Sequence, residues 1–466
     1  MTRLRLPALV LAVLAALSAA AGAGVRAAYG AHMTGDEPYY LLTALSLADD
    51  HSLDISDEIA GERYRAWHEV DLDPQARVLA GRRMVAPHDP LLPALLAPAM
   101  GLGGWVAAKM TLAVANAALA VLLLWIAVRR WDVAPWAGAA GVGVFACSAP
   151  LVVYGQQIYP ELPAALAVAC AVAALTGRPS VAKNVVVCGA VVALPWLSVK
   201  YAPVAAALAL VGLAVARRAL GSRVAALSAA GLAVAALVFV AAHQHWYGGL
   251  TPYAAGDHFV TGELSVMGTD PDFVGRARRL LGLLVDATFG LAAWQPAWLL
   301  VLPALGAVLR ARPAGWHVLV LPLVTGWLTA TFVALTMHGW WWPGRQLVVV
   351  LPAAVLLVLR WCAHSRARQR WLWATGAAGI ATHAWLVIEG LRGDLTWVVD
   401  FYRTSNPFLQ AWRRALPDLM NPSARAWVLY LVWMAIAAAL VALGWRRAAT
   451  GDSGRIEPER VAALSP

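Results

Sequence analysis

The sequence predicts an all-α, polytopic membrane protein, and three observations predict it. Hydrophobic residues fill 61% of the 466 positions and charged residues only 13%, whereas a soluble domain carries about 25% charged residues. The apolar residues gather into runs of about 17–25, the length that crosses a bilayer as a helix. The basic residues fall in the short breaks between those runs. Nothing alternates as a barrel strand would, which leaves a helical bundle as the spanning structure.

Hydropathy and charge place about twelve spans, at roughly 6–28, 105–128, 133–150, 160–176, 184–198, 201–216, 224–243, 294–309, 316–336, 345–360, 371–390 and 426–445. The fifth and sixth are short and meet at the turn Pro195 to Pro203, so they are candidates for re-entrant segments. The first follows Arg3 and Arg5 and precedes small residues such as Ala21-Gly22-Ala23. A secretory signal peptide has the same order, but the apolar run is longer than its usual 7–15 residues, which favours a retained helix.

The net charge is +10. In a soluble protein that would suggest nucleic acid. Here the cations cluster at Arg129 and Arg130, at Arg217, Arg218 and Arg223, at Arg366, Arg368 and Arg370, and at Arg446 and Arg447. That is the pattern of cytoplasmic loops, and no nucleic-acid groove is expected. Alternation then puts both termini on the cytoplasmic side of the cell membrane. The segments 29–104, 244–293 and 391–425 go outside and hold most of the acidic residues. One transmembrane domain, 1–447, is followed by a polar tail, 448–466, expected to be disordered. Cys147, Cys170, Cys188 and Cys362 make neither a disulfide framework nor a zinc pattern.

The first outer segment opens with Thr34-Gly35-Asp36-Glu37-Pro38-Tyr39-Tyr40-Leu41-Leu42. Pro38 suits the first turn of a helix, and Leu41, Leu42, Leu45 and Ala48 share a face, as in an amphipathic helix at the membrane surface. Asp36 and Glu37 then have two readings. They cap the helix, or they hold a carboxylate at the membrane boundary as a general base for an acceptor hydroxyl.

Other residues divide in the same way. His88 and Asp89 read as a plain loop or as substrate contacts, and Glu161, after Pro160, as a cap or a ligand. Lys200, at a span junction, either snorkels or meets a phosphate or carboxylate. His243 and His245 do not share a helical face and lack a third metal ligand. Arg276, Arg278 and Arg279 read as an interfacial helix on lipid headgroups or as lipid-phosphate ligands, and Trp340-Trp341-Trp342 chiefly as an aromatic belt.

One span followed by Gly-Asp-Glu-Pro-Tyr-Tyr-Leu resembles the GT-C superfamily of integral-membrane glycosyltransferases, which includes protein O-mannosyltransferases and lipid A aminoarabinose transferases. Further segments fit in order: Ala86-Pro87-His88-Asp89-Pro90, Tyr159-Pro160-Glu161, Asp286 to Pro296, and Trp342-Pro343-Gly344-Arg345. The resemblance implies a polyprenyl-phosphate-linked sugar donor, an inverting transfer at an external site, an external glycan, lipid or protein acceptor, and Asp36 as catalytic base. Glu37, His88, Glu161, Lys200 and Arg345 are the expected substrate-binding residues. Arg345 would hold the donor phosphate, because its planar fork of donors matches phosphate oxygens. No cofactor is implied, and assistance by a divalent metal is left open. The large soluble C-terminal domain common in the oligosaccharyl and arabinosyl branches is missing. A secondary transporter and a non-catalytic membrane scaffold are the rival classes; a transporter would carry ionisable residues at mid-membrane in two matching halves.

Overall fold

The protein is described from a computed structural model, and the described residues are 2–449 apart from 260 and 364. The expected tail lies outside them but for its first two positions. Among the described residues there are helices and isolated bridges but no strands. Eight helices are long and apolar enough to cross a membrane: Arg3–Ala21, Leu91–Trp131, Val199–Ala219, Ser222–Ala255, Trp316–Val333, Arg345–Cys362, Arg366–Arg392 and Ala424–Ala448. The other four expected spans fall on shorter apolar helices, Pro135–Ala146, Glu161–Leu175, Val181–Leu197 and Pro296–Ala311. Length and composition alone therefore support eight crossings, and the twelve expected are not confirmed.

Local sequence sets the boundaries of three of the expected spans. The first helix stops at Ala21, where Gly22 and Gly24 interrupt the apolar run. The second span begins at 105 as expected, because the run Leu91–Trp131 is broken at Gly103 and Gly104 into two helices, and the helix from Leu91 that precedes the break was not expected. Gly104, at φ 64°, marks the break. The fifth and sixth spans are helical throughout except for the turn Ser198–Tyr201.

Burial separates centre from periphery. In Arg345–Cys362 83% of the apolar window is buried, against 6% in Ser222–Ala255. The outer helices leave Leu227, Val234, Leu237, Val428 and Leu431 exposed, a surface suited to lipid rather than water.

The three long segments between spans bond to one another, so they share one end of the bundle. Asp257 N–H donates to Gln75 O at 2.8 Å, Trp397 N–H to Arg26 O at 2.9 Å, and Ala287 N–H to Pro417 O at 2.8 Å. The basic breaks lie away from this end. Arg130 donates to Ala173 O, and Arg360 stacks on Trp131.

One amphipathic expectation is corrected and a second is narrowed. The helix Glu37–Asp49 is buried on all sides from Glu37 through Ser46 and packs against Leu91–Trp131; it does not lie on a surface with a free polar face. Its polar groups are satisfied within the protein: Ser46 Oγ donates to Asp54 O at 2.7 Å. In the Arg276–Arg279 stretch two arginines are held by the protein, while Arg278 is exposed. Arg276 donates to Phe332 O and Met267 O, and Arg279 to Ala334 O and Leu335 O. Both cap the end of the Trp316–Val333 helix, whose last carbonyls have no helical partner.

Candidate functional site

The site is assembled from helix beginnings. Asp36 is the N-cap of Glu37–Asp49, Glu161 is the first residue of Glu161–Leu175, and Lys200 sits in the turn before Ala202–Ala219. Arg345 starts the turn that leads into Leu351–Cys362, and His88 and Asp89 precede Leu91–Trp131. Prolines stand at these starts, at Pro38, Pro90, Pro160, Pro203 and Pro352, where a missing N–H costs no hydrogen bond.

Four of the expected residues form one chain of ion pairs. Arg345 Nη2 donates to Asp36 Oδ2 at 2.6 Å and Arg345 Nε to Glu161 Oε1 at 2.9 Å. Lys200 Nζ donates to the same Glu161 oxygen at 2.6 Å. Two carboxylates and two cations balance, as buried charges require. Side-chain exposure is 0% at Glu161, 10% at Arg345, 23% at Lys200 and 28% at Asp36, so the two ends of the chain are the accessible groups. Asp36 makes no side-chain capping bond, so its carboxylate serves the ion pair and not the helix. Burial by itself would raise the Asp36 carboxyl, but the Arg345 guanidinium overrides it and holds the group at about 2.

Aromatic rings wall this chain. The Arg345 guanidinium carbon lies 4.1 Å from the Tyr159 ring centre and 5.5 Å from that of Trp341. Tyr40 meets Tyr159 edge-on and stacks on His88 with centroids 4.4 Å apart. Burial pushes the His88 ring down to about 4, so it is neutral at pH 7. Gly35 has φ +64°, and a Cβ there would come within 3.2 Å of Tyr159 Oη, so a side chain is excluded both by conformation and by space. Several buried polar atoms are left without a partner: Tyr159 Oη, Tyr201 Oη, Glu161 Oε2 and His88 Nε2. Native proteins seldom leave such atoms unpaired, and a group that binds there has ready partners.

Glu37 and His88 do not join the ion chain. Glu37 is 1% exposed and turns away from Asp36. Its Oε1 accepts from Ile158 N–H at 2.8 Å, so Glu37 fixes the turn that carries Tyr159 and Glu161. Burial raises its carboxyl. His88 borders the chain without bonding to it.

Residue chemistry missed part of the site. Tyr159 and Tyr201 stood in quoted segments but gave no spacing signal as site residues. The pairing of Asp89 with His243 was also unforeseen: Asp89 Oδ1 lies 2.9 Å from His243 Nε2, and Asp89 Oδ2 accepts from Val199 N–H at 2.9 Å. This tie anchors the Lys200 turn to the His88 loop, and burial raises the Asp89 carboxyl. Trp342, read as part of an interfacial belt, is instead 0% exposed and packs on Trp294, Trp397 and Phe401, whereas Trp340 is 66% exposed.

An apolar groove of about 1300 Å³, lined by Leu91, Val185, Val192, Trp196, Leu227 and Trp246 among others, includes no residue of the ion-pair chain. Trp196 lies 5.4 Å from the His243 ring, so the groove adjoins the Asp89–His243 tie.

No metal-ligand trio forms here. Both carboxylates of the chain are already taken by cations, and the trio found among the described residues, Asp50, Asp57 and Glu58, lies elsewhere. No protein-family model and no curated protein matches this chain.

Proposed function

We propose that the chain is a GT-C-type glycosyltransferase that moves a sugar from a polyprenyl phosphate to an acceptor hydroxyl outside the cell membrane. The observation that carries this reading is the Asp36–Arg345–Glu161–Lys200 chain, with an apolar groove adjoining the Asp89–His243 tie that holds the Lys200 turn. A donor with a charged head and a hydrocarbon tail needs both. On this reading the four shorter apolar helices also cross, which makes twelve crossings, and the three bonded outer segments face away from the cytoplasm.

The ion chain suggests how a weak base becomes a useful one. At about 2 the Asp36 carboxyl is ionised but holds a proton poorly. A donor phosphate that takes Arg345 and Lys200 as partners would withdraw Arg345 from Asp36. Without that cation the burial already present raises the carboxyl, and its basicity rises with it. The acceptor oxygen then bonds to the anomeric carbon, the carbon–oxygen bond to the phosphate breaks, and Asp36 takes the acceptor proton. The electron pair leaves with the polyprenyl phosphate, whose growing charge Arg345 and Lys200 stabilise. The helix starts around the site favour the same anion.

Two measurements test this. Purified protein in liposomes containing a polyprenyl-phosphate sugar and a hydroxyl acceptor should transfer the sugar without nucleotide. A transporter would move solute without forming a glycosidic bond, and a scaffold would do neither. Sidedness is tested with single cysteines in a cysteine-free background. Arg82→Cys should react with an impermeant thiol reagent added to intact cells, and Arg218→Cys should react only after lysis. Reversed labelling overturns the external site.

A further inference from the structure

A second constellation lies at the other end of the helix that Asp36 begins. Asp50 follows its last residue, and Asp57 and Glu58 lie on the short helix Ser56–Ala60. Oxygen atoms of all three carboxylates lie within 4.8 Å of one another. Asp50 and Asp57 are exposed, but Glu58 is 0% exposed, and among the described residues neither of its buried oxygens accepts from an N–H or hydroxyl donor; the polar group against it is the carboxyl of Asp57, a second acid. A buried carboxylate of this kind is costly unless a cation meets it. The nearby Arg63 does not serve, because its Nη1 is bonded to Asp49 Oδ2 at 2.8 Å.

We propose that Asp50, Asp57 and Glu58 bind a calcium ion that ties the end of the Glu37–Asp49 helix to the Ser56–Ala60 helix. The spacing fits, since oxygens up to 4.8 Å apart are all within reach of one ion at calcium–oxygen distances of about 2.4 Å. The ligand type fits as well. Carboxylates alone select a hard cation, and no histidine or cysteine is present to favour zinc or copper. Three carboxylates fill part of a shell of about 6–8 oxygens, and water reaches the rest through exposed Asp50 and Asp57. Magnesium demands a tighter octahedron and gives up its water reluctantly, so calcium is the better occupant. A helix of 13 residues separates this site from Asp36 by about 20 Å, so the ion is structural and its role does not depend on the transferase reading.

The test uses the purified full chain in detergent, stripped with chelator. Equilibrium dialysis with radioactive calcium should find one ion per chain, with a Kd of about 10⁻⁴–10⁻³ M, the range of open sites. Thermal unfolding should shift upward with calcium and much less with magnesium at equal concentration. Glu58→Gln keeps the shape and removes the charge; it should weaken binding at least about tenfold and abolish the shift. Asp50→Asn, at an exposed position, should weaken binding several-fold, and it carries the test if Glu58→Gln fails to fold. Asp270→Asn, at an exposed acid elsewhere, should change nothing. Wild-type protein that binds no calcium overturns the proposal. So does Glu58→Gln or Asp50→Asn binding like the parent, or a wild-type unfolding temperature indifferent to calcium; the last outcome would mean that Asp57 and Glu58 share a proton instead.

Discussion

Asp36→Asn should abolish sugar transfer, by about 10²–10⁴-fold, the usual range for a positioned acid or base, while the protein still folds and reaches the membrane. Asparagine keeps the volume and retains an oxygen for Arg345 Nη2, which now sits 2.6 Å from Asp36 Oδ2. It loses the negative charge and with it the capacity to take a proton. The side chain is 28% exposed, so the net charge left on Arg345 and Lys200 is partly solvated, and fold loss should be small. Size-exclusion profiles in detergent report the fold, and initial rates in liposomes report transfer. A well-folded Asp36→Asn that works at the parent rate would remove Asp36 from the chemistry. Glu37→Gln separates the neighbouring acid. Glu37 supports the Ile158 turn through an accepted N–H bond at 2.8 Å, and glutamine can accept the same bond. Its loss in rate should be much smaller than that of Asp36→Asn.

The membrane character was legible because it rests on composition and run length, which no tertiary contact overrides. The site was legible in pieces. Asp36, Glu161, Lys200 and Arg345 drew notice because each is an ionisable residue at the start of an apolar run, a place where charge needs a reason. Their mutual pairing was not legible, since Asp36 and Arg345 are 309 positions apart, and nothing in one sequence couples such distant positions. One reading failed, and a second holds for fewer residues than expected because Arg278 alone of its three arginines is exposed, for a shared reason. The Glu37–Asp49 helix and the Arg276–Arg279 stretch both carry polar and apolar residues in the mixture that suits a membrane surface. The fold instead satisfies their polar groups internally, with serine and arginine donors on backbone carbonyls. Periodicity reports what a segment can bury and is silent on whether a neighbour covers its polar side. The short helices show a related limit: at 12 residues in Pro135–Ala146 the apolar run is longer than the helix, because turns such as the one after Cys147 use up the remainder.

Arg345 should prove to have two separable roles, and a double-substitution cycle distinguishes them. Its guanidinium bonds two carboxylates through different nitrogens, Nε to Glu161 and Nη2 to Asp36, and packs on the Tyr159 ring. Arg345→Gln leaves Glu161 with Lys200 alone and Asp36 with no cation. Removing one partner of a buried pair costs about 3–5 kcal/mol, but Asp36 is partly exposed, so about 3 kcal/mol or less is expected here. Adding Asp36→Asn to Arg345→Gln restores the charge balance and should recover most of that stability, read as thermal unfolding in detergent. Transfer should not recover, because both the base and the phosphate ligand are gone. Arg345→Lys keeps the charge, but one ammonium cannot reproduce a fork that reaches two carboxylates and a phosphate. It should fold like the parent and lose about 10²–10³-fold in transfer, the scale of a lost electrostatic contact to a developing charge. An arginine that merely anchors the chain beside Trp340 and Trp341 would tolerate lysine, since both side chains snorkel. If Arg345→Lys and the refolded Arg345→Gln both turn over at the parent rate, the donor phosphate does not lie against Arg345. Lys200, 23% exposed and bonded only to Glu161, is then the cation to test.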